Sequence, residues 1–321
     1  MILNNDPLAG ELPRDISVTF GDICDDFALA RFFSDADENT CVIHCAGIIS
    51  LASHPDNIIY KVNVGGTSNI LRHCEKKNVG KLVYVSSVHA IPEETKSPLI
   101  KENTIFLPSL VKGDYGKSKA IATSLVLDAA KRGLNASVVF PSGIIGPGDI
   151  GKGSITNMLI SFYEGKMRLA VNGAYDFVDV RDVAAGIVAC SERGIKGSGY
   201  ILSGQYVSIR EILNAAENAL NFKRRIYYLP IWLAKIIAPI YEKRCLKKNR
   251  PLYFTPYAVE VLNSNGLFSK EIATADLGYS TRSLNTTIRD TMLWLQKNYN
   301  RLKGKTVNKT QKSRQIKRNC V

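Results

Sequence analysis

The segment Asp114–Ala120 reads D-Y-G-K-S-K-A and sets Tyr115 four residues before Lys119. On a helix those two positions share one face. A phenol, with an ordinary pKa of about 10, is a poor base near neutrality. A neighbouring ammonium favours the phenolate and brings it into a useful range. A serine hydroxyl nearby would hold the reacting oxygen, as donor or as acceptor. Such a trio can move a proton on and off an alcohol. Spacing alone does not establish it, because Tyr299 and Lys303 repeat the pattern. That second pair follows the last helical stretch, enters a basic tail and has no strand end beside it. It is read as chance, and the case for Tyr115 rests on its surroundings.

Those surroundings are an α/β pattern. Ile16–Phe20, Cys41–Cys45, Leu82–Val85 and Ala136–Phe140 are apolar, β-branched and of strand length, as buried parallel strands are. Helical stretches lie between them at Phe27–Phe33, Tyr60–Lys77 and Tyr115–Arg132, the last stopped by Gly133. The alternation predicts a doubly wound parallel sheet. Beyond residue 150 the pattern becomes mostly helical, with Ile209–Leu220 and Leu284–Asn298 amphipathic and one further strand at Tyr200–Ser203.

In such a sheet, ligands gather at the carboxyl ends of the strands. The first strand ends in Gly21–Asp25 and the second in Cys45–Gly47. The third ends in Ser86 and Ser87, and the fourth in Pro141–Asp149. Each alone reads as a turn. Together they place small and polar residues along one crevice, with Tyr115 opening the helix after Ser86-Ser87.

The ordered set G-D-I, V-I-H-C-A-G, N-V-G-G-T, V-Y-V-S-S, Y-G-K-S-K, P-S-G-I-I-G-P-G-D and F-V-D-V-R-D-V-A resembles the extended short-chain dehydrogenase/reductase superfamily. That group holds NAD-dependent epimerases/dehydratases, dihydroflavonol reductases and 3β-hydroxysteroid dehydrogenases. The resemblance runs from residue 1 to about 298 and implies a Rossmann-like fold with a smaller, mostly helical substrate lobe. It implies that Tyr115 is the acid/base, that Lys119 tunes it and holds the nicotinamide ribose, and that Ser87 orients substrate. Asp22 and Ile23 then meet the adenine. Cys45, Ala46, Gly47 and Ser86 line the path of the cofactor, and Pro141, Ser142 and Gly143 lie beside the nicotinamide. Asn63 matches a structural or relay asparagine; Asp179, Arg181 and Asp182 match a segment bracing the substrate lobe. The implied cofactor is NAD or NADP.

Members of that group open with a strand, a G-x-x-G-x-x-G turn and a helix whose N-terminus holds the pyrophosphate. This chain opens M-I-L-N-N-D-P-L-A-G-E-L-P instead. About 35 residues, the usual first βα unit, are expected to be missing from it. Either the start is misplaced on a complete enzyme, which is preferred, or the protein is degenerate and binds cofactor weakly. Asn4, Asn5 and Asp6, near the position that separates NAD from NADP, do not decide between the two. The expected organisation is a truncated Rossmann-like domain over 1–150, the remaining sheet elements and substrate lobe over 151–300, and a basic disordered tail over 301–321.

Charge, cysteines and histidines narrow the class further. Of the net charge of +13, residues 222–250 and 301–321 supply +8 each, so the rest carries −3. A basic main body is absent, which argues against nucleic acid. Seven cysteines without a C-x-x-C pair read as free thiols of a cytoplasmic protein, and Cys320 is misplaced for prenylation. His44, His54, His73 and His89 show no metal spacing, so no metal is expected; His44 reads as packed and His89, just after Ser87, as a pocket residue. Phe140 stands where sugar-nucleotide enzymes often carry an arginine before the proline. The run I-Y-Y-L-P-I-W-L-A-K-I-I-A-P-I-Y over 226–241 suits an apolar substrate lobe. It is either a buried helix pair with a solvated basic end, or an interfacial patch with Trp232 and Tyr241 at a lipid boundary and Lys243–Arg250 on anionic headgroups; Pro230 and Pro239 are expected to break the stretch, so that it does not span a bilayer. The expected activity is NAD(P)-dependent interconversion of a secondary alcohol and a ketone on an apolar small molecule. The alternatives are a nucleotide-sugar epimerase/dehydratase and a non-catalytic binding protein. Membrane-surface contact through 226–250 and a homodimer are the open partner expectations.

Overall fold

The computed structural model describes residues 1–4, 6, 9–50, 57–92, 99–102, 105–248 and 254–304. His54, Asn5, the end of the 226–250 patch and most of the basic tail lie outside these. The described strands are β1 (Cys41–His44), β2 (Lys81–Val85), β3 (Ala136–Pro141), β4 (Gly143–Ile145), β5 (Leu169–Val171), β6 (Ala174–Asp179), β7 (Gly199–Leu202), β8 (Gln205–Ser208) and β9 (Tyr227–Leu229). The helices are α1 (Asp26–Phe32), α2 (Asn57–Tyr60), α3 (Thr67–Lys77), α4 (Gly113–Arg132), α5 (Ser154–Tyr163), α6 (Val180–Arg193), α7 (Ile209–Leu220), α8 (Ile231–Lys247), α9 (Pro256–Val261), α10 (Glu271–Leu277) and α11 (Leu284–Gly304).

The central sheet runs β1-β2-β3-β7, all parallel, with Tyr84 opposite Val138 and Val139 opposite Tyr200. Its inner strands are apolar without alternation because helices cover both faces. Alternate side chains point to opposite faces. Leu82, Tyr84, Val138 and Phe140 therefore join one core with Ile70 and Leu71 of α3 and Val126 of α4. Val83 and Val139 join a second with Val183 of α6 and Leu277 of α10. Two helices of the first core are bounded by local chemistry. Gly133, at φ +130°, ends α4, and a Ser208–Glu211 capping box starts α7.

The sheet differs from the sequence expectation at its first strand. Ile16–Phe20 does not form one: a single parallel bridge joins Ile2 to Phe20, through Ile2 N–H to Thr19 O and Gly21 N–H to Ile2 O. A strand needs a paired neighbour along its length, and among the described residues only this bridge is offered. Ile16, Val18 and Phe20 consequently stay exposed. Among the described residues β1 pairs only with β2, and its Cys41 and Ile43 are exposed.

After β3 the chain holds more strand than its pattern suggested. β4, β6 and β8 form a three-stranded sheet, and β5 pairs with β9. These strands are three to six residues long, too short for a period of two to stand out. α7 packs on α11 beside them. Two further expectations are corrected. Tyr299 and Lys303 lie within α11 rather than past it, with Lys303 Nζ 5.6 Å from the Tyr299 ring and the Tyr299 hydroxyl donating to Glu164. Pro239 does not break the apolar run: Pro230 caps α8 and the helix continues through Pro239 to Lys247.

Phe140 is fully buried in the larger core and stacked on Phe106 at 5.3 Å. Phe140→Ala is expected to lower the unfolding free energy by about 3–5 kcal/mol in urea titrations.

Candidate active site

Tyr115 sits in the first turn of α4, whose start is shaped by Gly113 at φ +70°. A Cβ on Gly113 would lie 2.6 Å from the Tyr257 ring, so glycine serves both the backbone and the approach of α9. Tyr115 and Lys119 are both buried, 8% and 4% exposed. Burial pushes the Tyr115 phenol up to about 12, against a hydrogen bond from the Ser87 hydroxyl that lowers it. Burial lowers the Lys119 ammonium to about 8, with Cys45 opposing. Ser87 thus meets Tyr115, and Lys119 follows one turn later on α4.

Lys119 is fixed by β2. Its Nζ donates to Val85 O at 2.9 Å and Tyr84 Oη at 3.4 Å, and lies 4.9 Å from the centre of the Tyr84 ring. Burial also raises the Tyr84 phenol, so Tyr84 stays neutral beside the ammonium. On the other side the chain after β1 passes close by. A Cβ on Gly47 would lie 3.3 Å from Lys119 Nζ and 3.2 Å from Asn63 Oδ1.

Asn63 holds that passage in place. It belongs to a wider helical turn, Lys61–Gly66, of π form, set between α2 and α3. Its Oδ1 accepts from Ile48 N–H at 2.7 Å, and its Nδ2 donates to Ile48 O and Ser118 Oγ, both at 3.0 Å. Ser118 Oγ in turn donates to Tyr115 O at 2.8 Å. The carboxamide therefore ties the end of β1 to the turn that carries Tyr115. His44, in β1, is packed: its Nε2 is 2.9 Å from Thr67 Oγ1, and burial with the nearby Lys119 charge lowers it to about 3.

Ser86 and Ser87 diverge, as neighbours on an extended chain must. The Ser86 hydroxyl bonds Thr123 Oγ1 at 2.7 Å inside the core. That bond fastens the end of β2 to α4. Asp22 is exposed, its carboxylate accepting from Cys24 N–H at 2.8 Å, while Ile23 is buried against Gly66. Cys45, Ala46 and Gly47 are exposed at the end of β1. Pro141 and Ser142 are buried and Gly143 partly so; a Cβ on Gly143 would strike the Phe177 ring at 2.7 Å. Asp176, beside this loop, is raised by burial and lowered by the Ser142 hydroxyl and by Gly204 N–H at 2.7 Å.

His89 lies on the far side of Tyr115 within an aromatic group. Its ring meets Tyr115 edge-on at 5.8 Å and stacks on Tyr175 at 5.8 Å, and its Nδ1 is 3.2 Å from the Tyr257 hydroxyl. Burial lowers it to about 4, so it is neutral at physiological pH. Tyr84, Ser118, Tyr175 and Tyr257 were not legible as site residues, since each reads as an ordinary core aromatic or helix serine until the chain is folded.

Asp179, Arg181 and Asp182 brace the lobe. Asp179 accepts from Arg181 Nη2 at 2.7 Å and Thr287 Oγ1 at 2.8 Å; Arg181 also reaches Asp290 at 2.8 Å, and Arg282 pairs with Asp182. These contacts bind α6 to α11 and the segment before it, away from the Tyr115 group.

The residues fit the nicotinamide half of a dinucleotide. Among the described residues two acceptors engage Lys119 Nζ, and because a Cβ at Gly47 would crowd Lys119 Nζ and Asn63 Oδ1, glycine keeps the chain after β1 clear beside the ammonium. The sequence contains no G-x-x-G-x-x-G turn for the pyrophosphate.

A family model described as the NAD dependent epimerase/dehydratase family matches residues 3–202. The sterol demethylase protein B of Methylococcus capsulatus is 28% identical over 283 residues, covering 86% of this chain and 84% of that protein. The decarboxylating sterol-4-alpha-carboxylate 3-dehydrogenase of Schizosaccharomyces pombe is 25% identical over 306 residues, covering 92% and 88%. Among solved structures, a UDP-glucose 4-epimerase of Thermotoga maritima superposes with a TM-score of 0.72 at 17% identity, covering 93% and 90%; that likeness shows the fold.

The desolvation of Lys119 predicts a pH signature. Its folded-state pKa of about 8 lies below the ordinary 10.5, so between those values the unfolded chain binds the extra proton. The cost is complete below about pH 8 and disappears as pH rises through 10.5. The stability difference between the parent and Lys119→Met should therefore move in the parent's favour by about 3 kcal/mol across that window. A difference that stays flat would show that the ammonium is not desolvated.

Proposed function

The chain belongs to the NAD dependent epimerase/dehydratase family, and from that premise we propose that it oxidises a secondary alcohol, or reduces the ketone, on an apolar ring-bearing small molecule. The observation that carries the reading is the Tyr115 phenol, hydrogen-bonded by Ser87, with the buried Lys119 one helical turn away. The names of the two sterol-acting relatives support an apolar substrate. So does the aromatic group of His89, Tyr175 and Tyr257 beside Tyr115, in which His89 is neutral at pH 7.

NAD or NADP, when bound, would supply the hydride chemistry at the carbinol carbon. The protein does the rest. Ser87 holds the substrate oxygen through its hydroxyl. Tyr115 takes the hydroxyl proton as a phenolate in oxidation and gives it back as a phenol in reduction. At pH 7 the phenol is protonated and ready as the acid; as the base it must first ionise. The Lys119 ammonium favours that ionisation, and its third N–H remains for a ribose hydroxyl. Asn63 positions both sides by tying Ile48 to Ser118.

The nucleotide-sugar alternative has less to support it. Phe140, before Pro141, is fully buried against Phe106 and cannot meet a diphosphate. Three arginines beyond residue 150, Arg210, Arg224 and Arg225, line a groove of about 360 Å³ that shares no residue with the Tyr115 group.

With a 3-hydroxysterol and NAD(P), Tyr115→Phe is expected to lower kcat by about 10³-fold or more while the fold is kept. Ser87→Ala should lose about 10²-fold. Turnover unchanged in Tyr115→Phe would remove the assignment.

A further inference from the structure

Helix α8 is turned inside out. Its buried positions are Ala234, Ala238, Glu242 and Cys245, small residues and one acid. Its outward positions include Trp232, Ile236, Ile237, Ile240 and Leu246, with Trp232 64%, Ile236 58% and Ile240 54% exposed. A helix of a water-soluble surface presents the reverse pattern. Trp232, Ile236 and Ile240 are spaced by four, so they form one ridge along the helix. The small inward residues let α8 lie close on Val171 of β5 and Val259 of α9, which leaves the ridge standing outward.

The charge on this helix is as one-sided as its apolar face. Lys235 lies beside the ridge, and Lys243, Arg244, Lys247 and Lys248 close the helix, all exposed. None of these five forms an ion pair among the described residues. The one acid of the helix, Glu242, is buried with its own partner. Segment 222–250 thus concentrates charge on a chain whose remainder, outside it and residues 301–321, is net negative.

From the ridge and the cations together we propose that α8 docks the protein on an anionic phospholipid surface. Trp232, Ile236 and Ile240 enter the headgroup–acyl boundary, and Lys235, Lys243 and Lys247 meet lipid phosphates. Tryptophan suits that depth because its ring is apolar and its N–H can remain solvated. Pro239 fixes the mode of contact. It offers no N–H to the Lys235 carbonyl one turn earlier, and that carbonyl can be satisfied at a wet interface but not in the hydrocarbon core. Among the described residues no helix is long and apolar enough to cross a membrane, so contact is parallel to the surface. The inference is independent of the Tyr115 assignment, since binding is read without turnover.

The test is co-sedimentation of the full chain with vesicles of phosphatidylcholine alone and of phosphatidylcholine with phosphatidylglycerol. The expected result is binding to the mixed vesicles, weakened by salt, with a blue shift of tryptophan fluorescence that Trp232→Phe removes and Trp294 does not replace. Ile236→Glu with Ile240→Glu should lower partitioning by about tenfold or more without changing the melting temperature, because both side chains are exposed. Lys243→Gln with Lys247→Gln should lower it on anionic vesicles only. Unchanged partitioning in the Ile236/Ile240 variant, or equal binding to neutral and mixed vesicles, would overturn the proposal. So would a self-associating protein that ignores vesicles and becomes monomeric in that variant, which would make the occupant a second copy.

Discussion

An ammonium held out of water is the constraint on which the site depends. Lys119 is 4% exposed and receives two protein acceptors, one of them a backbone carbonyl at the end of a central strand. A buried cation is costly unless it is hydrogen-bonded, and the cost here is visible in the fall of its pKa to about 8. The surroundings are arranged to hold it: Tyr84 offers its oxygen and the face of its ring, and β2 offers Val85 O. The arrangement places a positive charge one turn from Tyr115, where a phenolate would form. Helix α4 therefore delivers both the phenol and the ammonium on one face, and β2 delivers the acceptors that hold the ammonium.

The neighbouring elements serve this pair at one remove. The π turn at Lys61–Gly66 lets Asn63 hold the backbone after β1 and Ser118 at once. Ser86 and Ser87, adjacent in sequence, divide their work because alternate side chains of an extended segment point apart: one locks α4 to the core and the other reaches the phenol. The Asp179–Arg181–Asp290 ion pairs anchor the lobe without entering the site.

Much of this was legible before folding, for identifiable reasons. β2 and β3 are buried on both faces, so their apolar runs announce strands, and the small residues at their ends announce a crevice. The Tyr115–Lys119 pair could be separated from Tyr299–Lys303 by its place after a strand end, although the second pair turned out to lie inside a helix. What was not legible depends on pairing in space. Ile16–Phe20 has strand composition but, among the described residues, only a single bridge for a partner. β5 and β9 are three residues long and become strands only by meeting each other. Pro239 looked like a break, yet a helix on the surface tolerates one missing N–H. Tyr175 and Tyr257 carry no local signal; they come to His89 through the fold.

The family fixes the cofactor class, while the step that separates an oxidoreductase from an epimerase is the fate of the hydride. In the proposed oxidation it leaves with the dinucleotide. The most direct measurement supplies a 3-hydroxysterol carrying deuterium on the carbinol carbon, together with NAD(P)⁺, and follows the label by mass spectrometry. The expected result is deuterium in the released reduced dinucleotide and a ketone product without it. Label that stays with, or returns to, the organic substrate, with no labelled dinucleotide released, would contradict an oxidoreductase.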